Sequence, residues 1–230
     1  MPTLFLSGAN RGIGLELAKV YAADGWTIIA TARAPETATA LTALAAEYQG
    51  RITIERLDVN DDAAVDAVAA KHAGHAIDLL INNAGISGGN DPALAIGDFN
   101  SFRRVLATNA VAPMKVTLAL LPALKLASNP KIFTISSRLG SIGLSNGGKY
   151  AYRASKAAVN AAMHALAIDL KPLGITCAVA HPGWVRTDMG GSGADISVQE
   201  SVAGLKQVAD KLTFADTGKF FNYTGEELAW

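Results

Sequence analysis

Residues Leu4–Ala18 read LFLSGANRGIGLELA, and the order of residue types in this stretch decides the fold. An apolar run over Thr3–Ser7 leads into three glycines, Gly8, Gly12 and Gly14, and then into a helical pattern over Gly14–Ala23. A short apolar run of this length suits a strand buried on both faces. Glycines between a strand and a helix let the backbone turn tightly and approach a bound pyrophosphate. The helix N-terminus then offers unpaired N–H groups and a favourable dipole. The spacing is GxxxGxG rather than the usual GxGxxG, so its position after the first strand carries more weight than its pattern.

Working outward, the same alternation repeats. Apolar runs at Trp26–Ala32, Arg51–Leu57, Ile77–Ile81, Lys131–Ser136, Ile175–Ala180 and Lys219–Tyr223 read as further strands. Alanine-rich stretches at Pro35–Tyr48, Asp61–His72, Phe102–Leu126, Tyr152–Leu173 and Val198–Leu212 read as helices. Strand–helix alternation implies right-handed crossovers, hence an α/β doubly wound parallel sheet of about seven strands with helices on both faces. No linker, internal repeat or low-complexity tract divides the 230 residues, so they read as a single domain, 1–230.

Twenty basic and twenty acidic residues leave no bulk field for nucleic acid or an anionic membrane. No apolar run approaches the roughly 18 residues of a membrane span, and no basic segment precedes the first apolar run as in a signal peptide. One cysteine, Cys177, excludes an internal disulfide framework and a CxxC site. These features together lead to the expectation of a cytoplasmic protein.

The nucleotide can be read at the second strand. An acid at its end would bind the ribose 2′-hydroxyl of NAD, but this strand ends IIATARAP, with Arg33 at the turn and Arg11 inside the glycine loop. Arginine matches phosphate in a forked geometry, so the pair favours the 2′-phosphate of NADP(H) over NAD(H). Asn82, Asn83, Ala84 and Gly85 follow the fourth strand, where ligands bind in open α/β sheets. They read either as local turn caps or as small residues that let a cofactor lie against the backbone.

YAYRASK, residues 150–156, supplies the chemistry. On a helix, Lys156 falls one turn beyond Tyr152 on the same face. A phenol with a reference pKa of about 10 becomes a better proton donor when a nearby ammonium favours the phenolate. Tyr150 has Ala154 at the corresponding place, so Tyr152 is the candidate acid and Tyr150 a packing residue. Upstream, IFTISSRLGSIG ends a strand with Ser136 and Ser137. Alternation sends their side chains to opposite faces, so one of them can hold a substrate carbonyl oxygen beside the phenol.

These pieces together resemble the short-chain dehydrogenase/reductase family. The likeness runs nearly end to end: SGANRGIG at 7–14, LDV at 57–59, NNAG at 82–85, Asn109, ISS at 135–137, YRASK at 152–156 and HPGWVRTD at 181–188. GKYAYRASKAA and FFNYTGEELAW more narrowly resemble the C-factor-like and sniffer-like carbonyl reductase branch. The resemblance implies a Rossmann-type fold and an NADP(H)-dependent carbonyl reductase acting on a small carbonyl or alcohol substrate. It implies that Ser137 holds the carbonyl, Tyr152 delivers the proton, Lys156 holds the nicotinamide ribose, and Asn109 keeps a water in the proton relay.

It further implies a cofactor site of Gly8, Asn10, Arg11, Gly12, Ile13, Gly14, Arg33, Asp58, Val59, Asn83, Ala84, Gly85, Pro182, Gly183, Val185 and Thr187, joined by Tyr152 and Lys156. Asp58 and Val59 would meet the adenine, and Thr187 the carboxamide. The family commonly pairs through its long helices, so a homodimer is expected, with a homotetramer as the alternative. The likeness to the C-factor branch also allows a second reading, a signalling protein that binds the cofactor with little turnover.

Three features depart from the family pattern. Ser7 replaces the usual threonine, SNGGK at 145–149 reads as a flexible insert, and the segment at about 187–197 is a short glycine-rich substrate loop. His72 and His75 lack acidic or cysteine neighbours in the sequence, so no metal is expected. Cys177 reads as a buried small hydrophobe and His181 as structural.

Overall fold

A computed structural model describes residues 1–88 and 98–230. Seven strands form one wholly parallel sheet: β1 (Thr3–Leu6), β2 (Thr27–Ala32), β3 (Ile52–Arg56), β4 (Leu79–Asn82), β5 (Lys131–Ile135), β6 (Thr176–His181) and β7 (Phe220–Asn222), in the order β3-β2-β1-β4-β5-β6-β7. Chain direction across the sheet reverses between β1 and β4, and such a switch point opens a crevice at the carboxyl ends of the strands.

Period-two alternation divides the core between two faces. Leu4 and Leu6 join Ile28, Ala30, Ile81 and Phe133 on one face, under α1 (Gly12–Ala23), α2 (Thr39–Glu47) and α8 (Val198–Lys211). Phe5 joins Ile29, Leu80 and Ile132 on the other, under α3 (Asp62–His72), α5 (Ala112–Ala119) and α7 (Tyr150–Leu170). Burial on both faces explains why the strands read as continuous apolar runs.

The long helix expected over Phe102–Leu126 is broken. It runs as α4 (Phe99–Leu106), a π-turn over Ala107–Val111, α5, and the short α6 (Leu121–Leu124). Pro113 and Pro122 stand in the first turns of α5 and α6, where a missing N–H is tolerated but an uninterrupted helix is not. The π-turn carries Asn109, buried at 1% exposure. The stretch expected as a helix from Pro35 begins instead with a 3₁₀ turn, Pro35–Thr37.

Candidate functional site

The glycine loop is clamped from β4. Ser7 Oγ accepts from the main-chain N–H groups of Asn83 (3.0 Å) and Ala84 (3.1 Å), and Asn83 Nδ2 donates to the carbonyls of Ser7 (3.1 Å) and Gly8 (2.9 Å). Ser7 keeps the hydroxyl of the threonine it replaces, and that hydroxyl makes both bonds. A Cβ on Gly8 would lie 2.9 Å from Ala84 Cα, and one on Gly14 would lie 2.1 Å from the Gly8 carbonyl oxygen. Side chains there would force the two loops apart.

At the head of α1, Arg11 makes no side-chain cap, and no acidic residue occupies the first turn. The helix therefore presents its first N–H groups without a competing protein anion, as a pyrophosphate requires. The residues present fit a dinucleotide. Gly8, Gly12, Ile13 and Gly14 form the loop with exposed Asn10 and Arg11, while Asn83, Ala84 and Gly85 line its flank. Asp58 and Val59 follow β3, with the Asp58 carboxylate accepting from Asn60 N at 2.9 Å and Val59 buried.

The two arginines turn to different partners. Arg33, exposed after β2, has its carbonyl bonded by Arg56 Nη1 at 3.3 Å, and Arg56 also pairs with Glu36 at 2.7 Å. Arg11 forms an ion pair with Asp188 at 2.5 Å. Neither Arg56 nor Asp188 was legible as a partner, because both contacts join residues distant in sequence.

The candidate catalytic groups converge after β5 and on α7. Ser136 and Ser137 do face apart: Ser136 Oγ donates to Asn160 Oδ1 at 2.5 Å, deep in the fold. Ser137 Oγ accepts from Leu139 N at 3.1 Å and lies beside the Tyr152 side chain. Burial raises the Tyr152 pKa above its ordinary value, and the neighbouring Ser137 hydroxyl opposes that rise.

Lys156 lies one turn beyond Tyr152 on α7, as its spacing implies. Its ammonium is buried, donates to the Ile135 carbonyl at 2.9 Å, and stands 5.8 Å from the centre of the Tyr152 ring. Burial lowers its pKa to about 8, because desolvation disfavours the charged form.

Asn109 uses its side chain within the protein. Its Oδ1 accepts from Ile86 N at 2.9 Å, and its Nδ2 donates to the Ile86 carbonyl at 2.8 Å and to Ser155 Oγ at 3.0 Å. Ser155 in turn donates to the Tyr152 carbonyl at 2.8 Å. Ser155 thus joins the π-turn to α7. Its position inside YRASK, three residues after Tyr152 on one helix turn, was the available signal.

The loop after β6 carries Pro182, Gly183, Val185 and Thr187. It is tied to itself: Val185 bridges Ile196, Trp184 Nε1 donates to the Gly190 carbonyl at 2.9 Å, and Gly190 N donates to Thr187 Oγ1 at 3.1 Å. The SNGGK insert is also tethered, since Arg153 Nε donates to the Gly147 carbonyl at 3.0 Å and its guanidinium bonds Asn146.

The remaining singled-out residues lie elsewhere or stay inert. The fold brings Glu55 within 3.4 Å of His72, an acidic partner the local sequence did not reveal. Among the described residues, no group of three or more His, Cys, Asp or Glu side chains could hold a metal ion. Burial pushes the Cys177 thiol up to about 12, and burial with Arg138 nearby lowers His181 to about 4. No described helix is long and apolar enough to cross a membrane.

Comparison with known proteins agrees with this arrangement. Residues 3–195 match the family model for short chain dehydrogenases. The C-signal protein of Myxococcus xanthus is 43% identical over 155 residues, covering 67% of this chain and 93% of its own. The carbonyl reductase Sniffer of D. melanogaster superposes with a TM-score of 0.93 at 37% identity, covering all of both chains. An NADPH-bound carbonyl reductase from chicken fatty liver superposes at 0.92 with 35% identity, covering 100% of this chain and 99% of its own. A parallel Rossmann-type sheet with these loops at its carboxyl edge, matched along most of its length, makes the chain a member of the short-chain dehydrogenase/reductase family of oxidoreductases.

Proposed function

We propose that this protein is an NADP(H)-dependent reductase of small carbonyl compounds, with Tyr152 as its general acid. The observation that carries the reading is the convergence of Ser137 and Tyr152, with the Lys156 ammonium buried one turn further along α7 and 5.8 Å from the Tyr152 ring centre. NADP(H), when bound, supplies the hydride. Ser137 and Tyr152 offer two hydroxyls to one carbonyl oxygen, and the phenol, kept protonated by burial, gives up its proton as negative charge develops there. The Lys156 ammonium carries three donors. One goes to Ile135, and the others suit ribose hydroxyls.

Asn109 and Ser155 hold the π-turn against α7, so a water beside Lys156 would be kept by that ordered backbone rather than by the Asn109 amide. Gly8 to Gly14 with Asn83 would cradle the pyrophosphate, Arg33 the 2′-phosphate, Asp58 and Val59 the adenine, and Thr187 the carboxamide. NADPH-bound and NADP-bound relatives of this fold support that choice of cofactor. NADPH oxidation across a panel of aldehydes and ketones tests the reading. Turnover of at least one that disappears in Tyr152→Phe is expected, and no turnover of any would count against it.

Likeness to C-signal favours a second reading, a signalling protein that binds the cofactor. In that case Ser137→Ala with Tyr152→Phe would leave its cellular effect intact, whereas loss of the effect with binding preserved favours the enzyme. A homodimer belongs to either reading. Val111 and Leu118 on the π-turn and α5, and Ala161, Ala165 and Ile168 on α7, form exposed apolar faces suited to a two-fold helix interface.

A further inference from the structure

Three consecutive residues at the end of β5 each meet α7. The Ile135 carbonyl accepts from Lys156 Nζ at 2.9 Å, Ser136 Oγ donates to Asn160 Oδ1 at 2.5 Å, and the Ser137 hydroxyl lies beside the Tyr152 side chain. Tyr152, Lys156 and Asn160 are spaced four residues apart, so they share one face of the helix over two turns. Tyr152 and Lys156 belong to the candidate site. Asn160 stands one turn further along α7.

Asn160 is 3% exposed and Ser136 1%. The Asn160 Nδ2 has no hydrogen-bond partner among the described residues. The turn at Gly140 packs against it so closely that a Cβ on that glycine would stand 3.0 Å away. A buried amide with one idle end costs stability. Replacing both members of such a pair by apolar groups of like shape is close to neutral for folding. Folding therefore does not require Ser136 and Asn160 to be polar. What the pair supplies is direction, which apolar burial lacks. It fixes the Ser136 side chain, and with it the peptide that leads to Ser137. The segment joining β5 to α7 is exposed over residues 142–147. A direct tie from α7 makes the place of Ser137 independent of that segment.

We propose that Asn160 is a positioning residue, which acts through Ser136 to hold the end of β5 so that the Ser137 hydroxyl stays beside the Tyr152 phenol. This rests on the reading of Ser137 and Tyr152 as the two hydroxyls that meet the carbonyl oxygen. One helix then carries both the acid, at Tyr152, and the anchor of its partner, at Asn160. A misplacement of about 1 Å at such a pair can lower turnover a hundredfold.

The test compares the full-length protein with Ser136→Ala, Asn160→Leu and the double variant. Urea unfolding, kcat and KM on the best carbonyl substrate, and the NADPH dissociation constant are measured for each. Amide hydrogen exchange is followed at Leu139, whose N–H donates to Ser137 Oγ at 3.1 Å. The double variant should unfold at a urea midpoint close to that of wild type, yet its kcat should fall about ten- to a hundredfold. Its KM and NADPH dissociation constant should stay within about twofold, and Leu139 should exchange faster. Each single variant should lose kcat by a similar factor, so the losses do not add.

Wild-type kcat in the double variant would overturn the proposal and leave the pair a packing contact. A kcat loss that merely tracks loss of stability across the three variants would overturn it too, as would unchanged exchange at Leu139. Should Asn160→Leu fail to fold, Ser136→Ala, which removes one oxygen, carries the same comparison. If the wild-type protein reduces no carbonyl on the panel, the reading of function fails and Leu139 exchange decides the anchor alone. Faster exchange in the double variant then supports it, and unchanged exchange overturns it.

Discussion

The Lys156 ammonium donates to the carbonyl of Ile135 at 2.9 Å, at the end of the strand that delivers Ser137. This bond pins α7 to β5 inside a desolvated pocket. Burial lowers the lysine pKa from 10.5 to about 8. Between those values the unfolded chain binds more protons than the folded one, so this group makes stability rise with pH from about 8 to about 10.5.

Lys156→Met should therefore be more stable than wild type at pH 7, while losing turnover. The shift favours the variant at about 1.4 kcal/mol per unit, offset by one orphaned carbonyl at about 1 kcal/mol. A net gain of about 2–3 kcal/mol in urea unfolding is expected, shrinking as pH rises toward 10. Equal stability of the two proteins at pH 7 would show that the ammonium is better solvated than its burial implies.

Arg33 should decide the cofactor. A hydrogen bond to a charged group contributes about 1.5–3 kcal/mol, so Arg33→Ala should weaken NADPH binding roughly tenfold to a hundredfold and leave NADH binding nearly unchanged. Calorimetry with both cofactors reads this directly. A wild-type protein with equal affinity for the two would remove the basis of the assignment.

Gly14 has no room for a side chain. A Cβ there would stand 2.1 Å from the Gly8 carbonyl oxygen and 2.6 Å from Asn83 Nδ2, and both belong to the clamped loop. Gly14→Ala should lower stability by about 1–3 kcal/mol and weaken NADPH binding more than tenfold. Unaltered urea unfolding and unaltered binding would mean that the loop yields freely.

Most of the sheet was legible because its inner strands are buried on both faces and read as apolar runs, as Leu4–Leu6 and Leu79–Ile81 do. The loop glycines, the serine pair and the Tyr152–Lys156 spacing were legible because each motif is local. Long-range partners were not: Asp188 lies 177 residues from Arg11, and Glu55 reaches His72 only through folding. The π-turn at Asn109 was hidden because its residues suit an ordinary helix; only Pro113 hinted at a break. The spacing gave the proximity of Lys156 to Tyr152 but not the burial that lowers the lysine pKa.

The exposed Val111, Leu118 and Ile168 should be covered in solution. Sedimentation equilibrium at micromolar concentration is expected to give twice the 23.8 kDa chain mass, and Leu118→Glu with Ile168→Glu should shift it to the monomer. A single species at the chain mass in the wild-type protein would refute the dimer.

Tyr152→Phe keeps the ring and removes only the phenolic proton donor beside Ser137. Its NADPH-dependent turnover on the best carbonyl substrate, measured beside its NADPH dissociation constant, tests the assignment of the acid most directly. Turnover should fall by two to four orders of magnitude, about the contribution of a positioned general acid, while NADPH binding stays within a few-fold of wild type. Near wild-type turnover in Tyr152→Phe would contradict Tyr152 as the proton donor.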